Sequence, residues 1–323
     1  MNIPAPQVYL GSYLEPLAPF LAREDVTDIL INRPGEVWSE TTGGHMTSHD
    51  VPRLSESALN RLVRQIAAAN AQGIGRSQPL LGGKLPDGSR VQIVLPPASR
   101  SFPVLAIRKH GLSEVTLSAF AKKTIPSLGD KAPSEGIEIA TDVVSDLALA
   151  VRARYNVLIS GGTSTGKTTL LQAMLRSIPP DERLILVEDV PELPLTHANS
   201  IGLLAARGVT GEAAVSTEDL LIAALRMRPD RLILGELRGT EATTFLRAVN
   251  SGHPGSITTI HADSPARAVD QLTLLVLQGG LRMNWEDVRR FVCRSLDLIV
   301  QMARINGRRE ITQITLARDV LSA

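Results

Sequence analysis

The chain contains the segment Gly161-Gly162-Thr163-Ser164-Thr165-Gly166-Lys167-Thr168, which lies between an apolar stretch and a helix-like one. Residues 156–160 centre on Val-Leu-Ile, as is typical of a buried strand, and residues 169–175 have the composition of a helix. Glycine lets an anion approach the backbone closely, and the N–H groups at the start of a helix point towards it. Strand, glycine-rich loop and helix in this order predict a phosphate-binding loop.

The loop also predicts roles for its own side chains. In loops of this kind the lysine reaches the β- and γ-phosphates of a nucleotide, and the hydroxyl that follows it binds Mg²⁺. We therefore expect Lys167 to contact phosphate and Thr168 to be a metal ligand. A flexible turn that binds nothing is the alternative, and the flanking strand and helix argue against it. The expected nucleotide-binding residues are Gly161, Gly162, Thr163, Ser164, Thr165, Gly166, Lys167, Thr168 and Thr169.

Length and composition restrict the class of protein. A chain of 323 residues is long enough for two domains. Its 34 basic and 33 acidic residues leave a formal charge of +1, so no overall basic surface indicates a protein that wraps nucleic acid. The single cysteine excludes an internal disulfide and a cysteine-based zinc cluster. No apolar run approaches the roughly 18 residues of a membrane span, so we expect a cytoplasmic protein with at most peripheral membrane contact.

The segment upstream of residue 122 predicts an α+β domain. Its expected elements are a strand at 28–32, a helix from Ser55 to about Ala71, a hairpin turn at Pro86-Asp87-Gly88 and a strand at 104–108. Residues 122–136 mix charges with two prolines and two glycines, which is typical of a linker. The expected division is an N-terminal domain at 1–122, a linker at 123–136 and a C-terminal domain at 137–323.

The segment after the predicted linker has a different pattern of apolar residues. Short apolar strands alternate with helices, and strands that are apolar on both faces indicate a parallel sheet covered by helices. Ser216 or Thr217 begins a further helix, and Asn306-Gly307 predicts a hairpin turn between the last two strands. The four expected parallel strands are residues 156–160, 184–187, 231–234 and 256–260.

Acidic residues follow two of these strands. Glu188, Asp189 and Glu192 come directly after strand 184–187, and ligands of open α/β sheets collect at the carboxyl ends of strands. These acids either hold Mg²⁺ through water or orient an attacking water, or else they form a solvated surface loop. Glu236 follows strand 231–234, where a buried carboxylate needs a cation such as a metal reached through water. Pairing of Glu236 with a nearby arginine is the simpler alternative.

Histidines and arginines complete the candidate set. His253 and His261 border strand 256–260, and their spacing does not match that of a zinc site. Either is a structural residue or, if it lies near phosphate, a sensor of the γ-phosphate. The guanidinium fork suits phosphate, although most arginines simply face solvent. The arginines considered are Arg90 and Arg108 upstream of the linker, and Arg226, Arg228, Arg231 and Arg238 near Glu236.

The order of these motifs resembles that of the secretion ATPases of type II secretion, type IV secretion and type IV pili. Residues 161–168, 188–192, 228–239 and 252–261 correspond to the Walker A motif, the Asp box, the Walker B motif and the His box. Within that superfamily, residues 106–109 and 228–231 look most like the conjugal-transfer ATPases of the TrbB type. One cysteine cannot build the four-cysteine zinc element of many type II members, so conjugation and type IV secretion are favoured.

The resemblance implies a RecA-like P-loop ATPase domain with a mostly parallel sheet, preceded by a smaller α+β domain. It further implies a homo-hexameric motor that uses ATP and Mg²⁺ at the cytoplasmic side of the inner membrane and docks to secretion-channel components. By the same resemblance, Lys167 and Thr168 bind phosphate and Mg²⁺, and Glu236 supports the metal. The remaining implied roles are water activation by Glu188 or Glu192, γ-phosphate sensing by His261, and phosphate contacts from Arg90 and Arg108.

Three other functions are considered. A type IV pilus or type II secretion ATPase would share the same motifs. A RecA-like nucleic-acid motor is disfavoured by the near-neutral charge and by an aromatic content of 3%, because strand-tracking proteins usually offer basic grooves and stacking platforms. Nucleic acid is therefore not expected as a direct partner. A nucleotide-gated subunit without turnover is disfavoured by the acids at both strand ends.

Overall fold

The computed structural model describes residues 5–42, 44–109, 143–205, 214–305 and 308–321. The predicted linker at 123–136 and the predicted turn at Asn306-Gly307 lie outside these ranges. Within the described ranges, no helix combines the length and the apolar character needed to cross a bilayer.

The N-terminal part is built on an antiparallel sheet. The strands predicted at 28–32 and 104–108 are present, and Gly88 has the positive φ of +86° that the predicted hairpin turn requires. The strands are β1 (Val26–Ile31), β2 (Glu36–Thr41), β3 (Met46–Asp50), β4 (Leu80–Lys84), β5 (Arg90–Val94) and β6 (Val104–Arg108). Their order across the sheet is β3-β2-β1-β6-β5-β4, and every neighbouring pair is antiparallel.

Three helices belong to this sheet: α1 (Ala5–Leu14), α2 (Ala18–Leu21) and α3 (Glu56–Ala69). The helix α3 is the one predicted from residue 55, and Ser55 is its N-cap because the Ser55 hydroxyl accepts the Ala58 N–H at 3.3 Å. Leu59 and Leu62 on α3 are buried in the same apolar cluster as Ile29 of β1. The apolar face of α3 thus packs on the sheet.

The C-terminal part is built on a mostly parallel sheet of seven strands. They are β7 (Val157–Gly161), β8 (Leu184–Glu188), β9 (Ser200–Leu204), β10 (Arg231–Leu234), β11 (Ile257–Ile260), β12 (Leu298–Ile305) and β13 (Arg308–Leu316). Their order is β13-β12-β7-β11-β10-β8-β9, and only the β12–β13 pair is antiparallel. The four parallel strands predicted from the sequence are confirmed. The edge strand β9 was not predicted.

Helices cover both faces of this sheet, as the apolar strands predicted. They are α4 (Val143–Arg152), α5 (Lys167–Leu175), α6 (Thr217–Ala224), α7 (Glu241–Asn250), α8 (Pro265–Gln278) and α9 (Trp285–Ser295). The helix α6 starts at Ser216 with a reciprocal capping box to Asp219. Consecutive residues of one strand enter different apolar clusters, for example Leu158 and Ile159 of β7. Two-sided burial of this kind requires helices on both faces.

The two sheets share one continuous apolar cluster. Leu30 of β1 and Val104 of β6 are buried together with Leu203 of β9 and Met227. Arg183 is fully buried beside this contact and donates to the Asn32 side chain at 2.9 Å. The N-terminal sheet is therefore docked on the C-terminal one by both apolar and polar contacts.

A fully buried ion pair lies in the C-terminal part. Arg231 is 0% exposed and donates to both carboxylate oxygens of Glu182 at 2.7 Å. It also donates to the Val151 carbonyl oxygen at 2.6 Å. Arg231 was considered as a phosphate-binding arginine, and the structure instead gives it this internal role.

We predict that Glu182→Ala lowers the free energy of unfolding by about 3 kcal/mol or more, because it leaves the buried Arg231 guanidinium without its counter-charge. Urea unfolding followed by circular dichroism measures the loss. Asp181→Ala is the matched control, since this exposed neighbour should change stability by no more than about 0.5 kcal/mol. Equal effects of the two substitutions would contradict the prediction.

Candidate nucleotide-binding site

The glycine-rich loop has the predicted strand, loop and helix context. The strand β7 ends at Gly161 and the helix α5 begins at Lys167. Gly166 precedes the helix with a left-handed φ of +96°, and a Cβ atom there would lie 2.9 Å from Arg309 Cδ. A Cβ atom on Gly161 would lie 2.8 Å from the Met302 carbonyl oxygen. Gly166 is therefore required by its left-handed conformation, and Gly161 by the backbone carbonyl beside it.

A cavity of about 440 Å³ lies in front of this loop. Because β7, β8, β10 and β11 run parallel, their carboxyl ends share one edge of the sheet. That edge gathers the loop and the motifs that follow the other strands. The predicted site residues that line the cavity are Thr163, Ser164, Thr165, Gly166, Lys167, Thr168, Thr169, Glu188, Glu192, Glu236 and His261.

A chain of polar contacts crosses the cavity. The Lys167 ammonium donates to the carbonyl oxygens of Gly161 and Gly162 at 2.9 and 3.0 Å, and it lies 3.2 Å from His261 Nδ1. An ammonium group can only donate, so His261 accepts at Nδ1 and carries its proton on Nε2. Nε2 lies 2.7 Å from Glu236 Oε1. His261 therefore stands between the lysine of the loop and the acid after β10.

Burial and the neighbouring charges determine the pKa of Lys167. Burial lowers the pKa of Lys167 below its ordinary value of 10.5, Glu236 opposes that shift, and Arg238 adds to it. Glu236 Oε2 accepts a hydrogen bond from Arg238 Nε at 2.7 Å. The simple Glu236–Arg238 pairing considered from the sequence is thus present, and it uses only one of the two carboxylate oxygens.

The donor atoms at the cavity suit Mg²⁺. Glu236 Oε1 is buried, and no described group gives it a well-directed hydrogen bond, although His261 Nε2 is close. The Thr168 hydroxyl belongs to the first turn of α5 and lines the same cavity. A hydroxyl and a carboxylate oxygen are the kinds of ligand that Mg²⁺ takes, directly or through water. The two predicted metal residues therefore fit the ion.

The two glutamates of the Asp box have different surroundings. Glu188 is 3% exposed. Its Oε1 atom accepts the N–H groups of Glu192 and Leu193 at 2.9 and 2.8 Å, and its Oε2 atom accepts a hydrogen bond from Arg100. Glu192 is exposed on the cavity wall. Both oxygens of Glu188 are therefore engaged with protein, whereas the Glu192 side chain faces the cavity.

Arg90 and Arg108 are not brought to the loop of their own chain. They line a second cavity of about 530 Å³ between the two sheets, together with Lys84, Arg226 and Arg228. Arg90 begins β5 and Arg108 ends β6, and the two residues lie opposite each other in the sheet. This end of the strands faces the segment between α6 and β10. The two arginines therefore do not make the expected phosphate contacts within their own chain.

Arg228 and His253 are held by contacts outside the phosphate cavity. Arg228 donates from Nε to Glu40 at 2.6 Å, which links the C-terminal part to β2. The His253 ring lies 3.2 Å from the Ala248 carbonyl oxygen at the end of α7.

Two residues that line the phosphate cavity were not predicted from the sequence. Arg309 of β13 lies beside Gly166, and Thr217 of α6 donates to Asp189 at 3.3 Å.

Comparison with known proteins gives one consistent result. A family model described as "Type II/IV secretion system protein" matches residues 12–316. The chain is 37% identical to the type IV secretion system protein VirB11 of Bartonella henselae, over 93% of this chain and 91% of that protein. It is 38% identical to the type IV secretion system protein PtlH of Bordetella pertussis, over 100% of both chains.

A solved structure agrees with these relatives. The crystal structure of the VirB11 ATPase from the Brucella suis type IV secretion system, in complex with sulphate, matches with a TM-score of 0.85 and 32% identity. The match covers 98% of this chain and 96% of that one. The likeness therefore extends through both sheets.

We predict that Gly166→Ala lowers the affinity for nucleotide at least about tenfold, because alanine is strained at a φ of +96° and its Cβ atom would press on Arg309. Isothermal titration calorimetry with ADP measures the loss. Gly162→Ala is the control in the same loop, since its φ is not left-handed and the nearest atom lies 3.9 Å from the added Cβ. Equal losses in both variants would refute the argument.

Proposed function

Because the chain belongs to the type II/IV secretion system protein family, we propose that it is an ATPase that powers a type IV secretion or conjugal-transfer system. The observation that carries the proposal is the contact chain from Lys167 through His261 to Glu236, which joins the phosphate loop to the acid of the Walker B motif. A site that binds nucleotide passively has no need for an acid, a histidine and a lysine in mutual contact at the phosphate end.

The residues of the cavity support hydrolysis of the γ-phosphate. The N–H groups of the loop and Lys167 would hold the phosphates, and Thr168 and Glu236 would hold the metal. Bound Mg²⁺ would neutralise negative charge on the β- and γ-phosphate oxygens. Glu192 is the acid free to orient the attacking water, and Glu188 supports the loop that carries it. Catalysis of this kind works mainly through positioning and charge stabilisation.

His261 is suited to sense the γ-phosphate. It contacts Lys167 on one ring nitrogen and lies beside Glu236 on the other. A phosphate that draws the Lys167 ammonium away breaks the contact at Nδ1, and its loss restores that contact. The hydrogen bonding of His261 would therefore differ before and after hydrolysis.

The assembly proposed is a homo-hexameric ring on the cytoplasmic side of the inner membrane, docked to secretion-channel components. Arg90, Arg108 and Arg226 support the ring, because they line the cavity between the two sheets and do not reach the loop of their own chain. In a ring such arginines would meet the phosphates of a neighbouring copy. The division into residues 1–122, a linker at 123–136 and residues 137–323 belongs to the same proposal.

Lys167→Ala should abolish steady-state release of phosphate from ATP, because the loop loses its only ammonium group, while the circular dichroism spectrum stays that of the wild type. Arg176→Ala, an exposed substitution just beyond the same helix, should keep wild-type turnover. Wild-type hydrolysis by Lys167→Ala would refute the assignment. Strong, salt-dependent stimulation of the wild type by single-stranded DNA would instead favour a nucleic-acid motor.

Mixing two inactive variants tests whether Arg226 acts on a neighbouring copy. Lys167→Ala subunits keep Arg226 but lack a working loop, and Arg226→Ala subunits have the reverse defect. If Arg226 acts between copies, a mixed ring contains complete sites, and the mixture should recover a measurable fraction of wild-type phosphate release. A mixture as inactive as its components, or a wild-type protein that stays monomeric with ATP and Mg²⁺, would contradict the ring arrangement.

A further inference from the structure

We infer that Arg100 is a positioning residue that holds the Asp-box loop in place through Glu188, so that docking of the N-terminal sheet governs how well the site orients water. The inference rests on the proposed ATP hydrolysis and adds a residue to it. Arg100 belongs to the connection between β5 and β6 and does not line the phosphate cavity.

The connection between β5 and β6 pairs with the edge of the C-terminal sheet. Leu204 of β9 donates its N–H to the Ala98 carbonyl oxygen at 2.8 Å, and the Arg100 N–H donates to the Gly202 carbonyl oxygen at 3.2 Å. Ser99 and Leu203 form an antiparallel bridge between these bonds. Arg100 is therefore fixed by backbone hydrogen bonds beside β9, the immediate neighbour of β8.

The side chain of Arg100 crosses β9 at a glycine. A Cβ atom on Gly202 would lie 2.2, 2.6 and 2.7 Å from Nε, Cδ and Cζ of Arg100, so any side chain at position 202 would displace the Arg100 side chain from its present path. The φ of Gly202 is not left-handed, so the backbone itself does not demand glycine. The glycine instead provides the space through which the guanidinium passes from the N-terminal part to β8.

Beyond β9 the Arg100 guanidinium binds both ends of the Asp-box loop, residues 188–193. Its Nη2 group donates to Glu188 Oε2 and, at 2.9 Å, to the Leu193 carbonyl oxygen. Glu188 Oε1 in turn accepts the N–H groups of Glu192 and Leu193. The loop from 188 to 193 is thus closed by one carboxylate and one guanidinium, and the backbone N–H of Glu192 is bound to that carboxylate.

Charge explains why the arginine is needed. Glu188 is 3% exposed, and a buried carboxylate without a cation is costly. Arg100 is the cation that forms an ion pair with it among the described residues. Withdrawal of Arg100 would leave Glu188 buried with an uncompensated charge, and the loop that Glu188 organises would loosen. Because Arg100 does not line the phosphate cavity, its loss should affect turnover rather than nucleotide binding.

The test compares Arg100→Gln, Arg100→Lys and Gly202→Ala in the full chain. Arg100→Gln should lower kcat for ATP hydrolysis about 10- to 100-fold, because misplacement of an orienting group by about 1 Å has effects of this size. The KM for ATP should stay within about threefold of the wild type. Arg100→Lys should restore part of the turnover by returning a charge, and Gly202→Ala should reproduce the defect by displacing an intact arginine.

Arg33→Gln is the matched control. Arg33 and Arg100 both line a third cavity, of about 490 Å³, between the N-terminal sheet and β9. Arg33 is 60% exposed and pairs with Glu36. It should leave kcat unchanged. A fall of kcat and affinity together in Arg100→Gln, with no recovery in Arg100→Lys, would mean that the pair is merely structural and would overturn the inference.

Hydrogen–deuterium exchange separates this inference from the proposed function. The amides of Glu192 and Leu193 bond to Glu188, so the peptide covering residues 188–193 should exchange at least about tenfold faster in Arg100→Gln and Gly202→Ala than in the wild type or Arg33→Gln. Unchanged exchange in this peptide would overturn the inference whether or not the protein hydrolyses ATP. If the wild-type protein shows no ATP hydrolysis but this peptide still exchanges faster in the two variants, the coupling stands and only the proposed activity is removed.

Discussion

The site depends on one constraint, which is that β7, β8, β10 and β11 are parallel and end at the same edge of the sheet. The phosphate loop, the Asp box, the Walker B acid and His261 each follow one of these strands. They are up to about 100 residues apart in the chain and meet because hydrogen-bonded parallel strands bring equivalent ends together. Removal of any central strand would separate the lysine from the acids, however well the loop itself were formed.

Compensation of buried charge is the second organising feature. Glu182 is paired with Arg231, Glu188 with Arg100 and Glu40 with Arg228, and each pair involves a carboxylate that is largely withdrawn from water. The first pair lies within the C-terminal part, where it only holds the fold together. The other two join the N-terminal sheet to the C-terminal one. Ion pairs of this kind are costly to break and demand good geometry, so they specify one docked arrangement of the two sheets.

Several features of the protein were predictable because they depend on neighbouring residues. The turn at Gly88, the capping box at Ser216 and the left-handed Gly166 before Lys167 are set by backbone conformation within a few residues. Apolar runs such as Val157 to Ile159 are unambiguous because both faces of the strand are buried. The strand β9 escaped prediction because Gly202 interrupts its apolar pattern, and that glycine is explained only by Arg100 passing over it.

The sequence by itself determined the phosphate loop, the mostly parallel sheet around it and the family, since these follow from local patterns and from the order of the motifs. Only the tertiary structure decided that Glu188 is engaged by Arg100 while Glu192 faces the cavity, that Arg309 borders the loop, and that Arg90 and Arg108 lie in a separate basic cavity. The physical reason is distance along the chain. Arg100 and Glu188 are separated by 88 positions, and their contact exists only because two independently patterned sheets dock in one orientation.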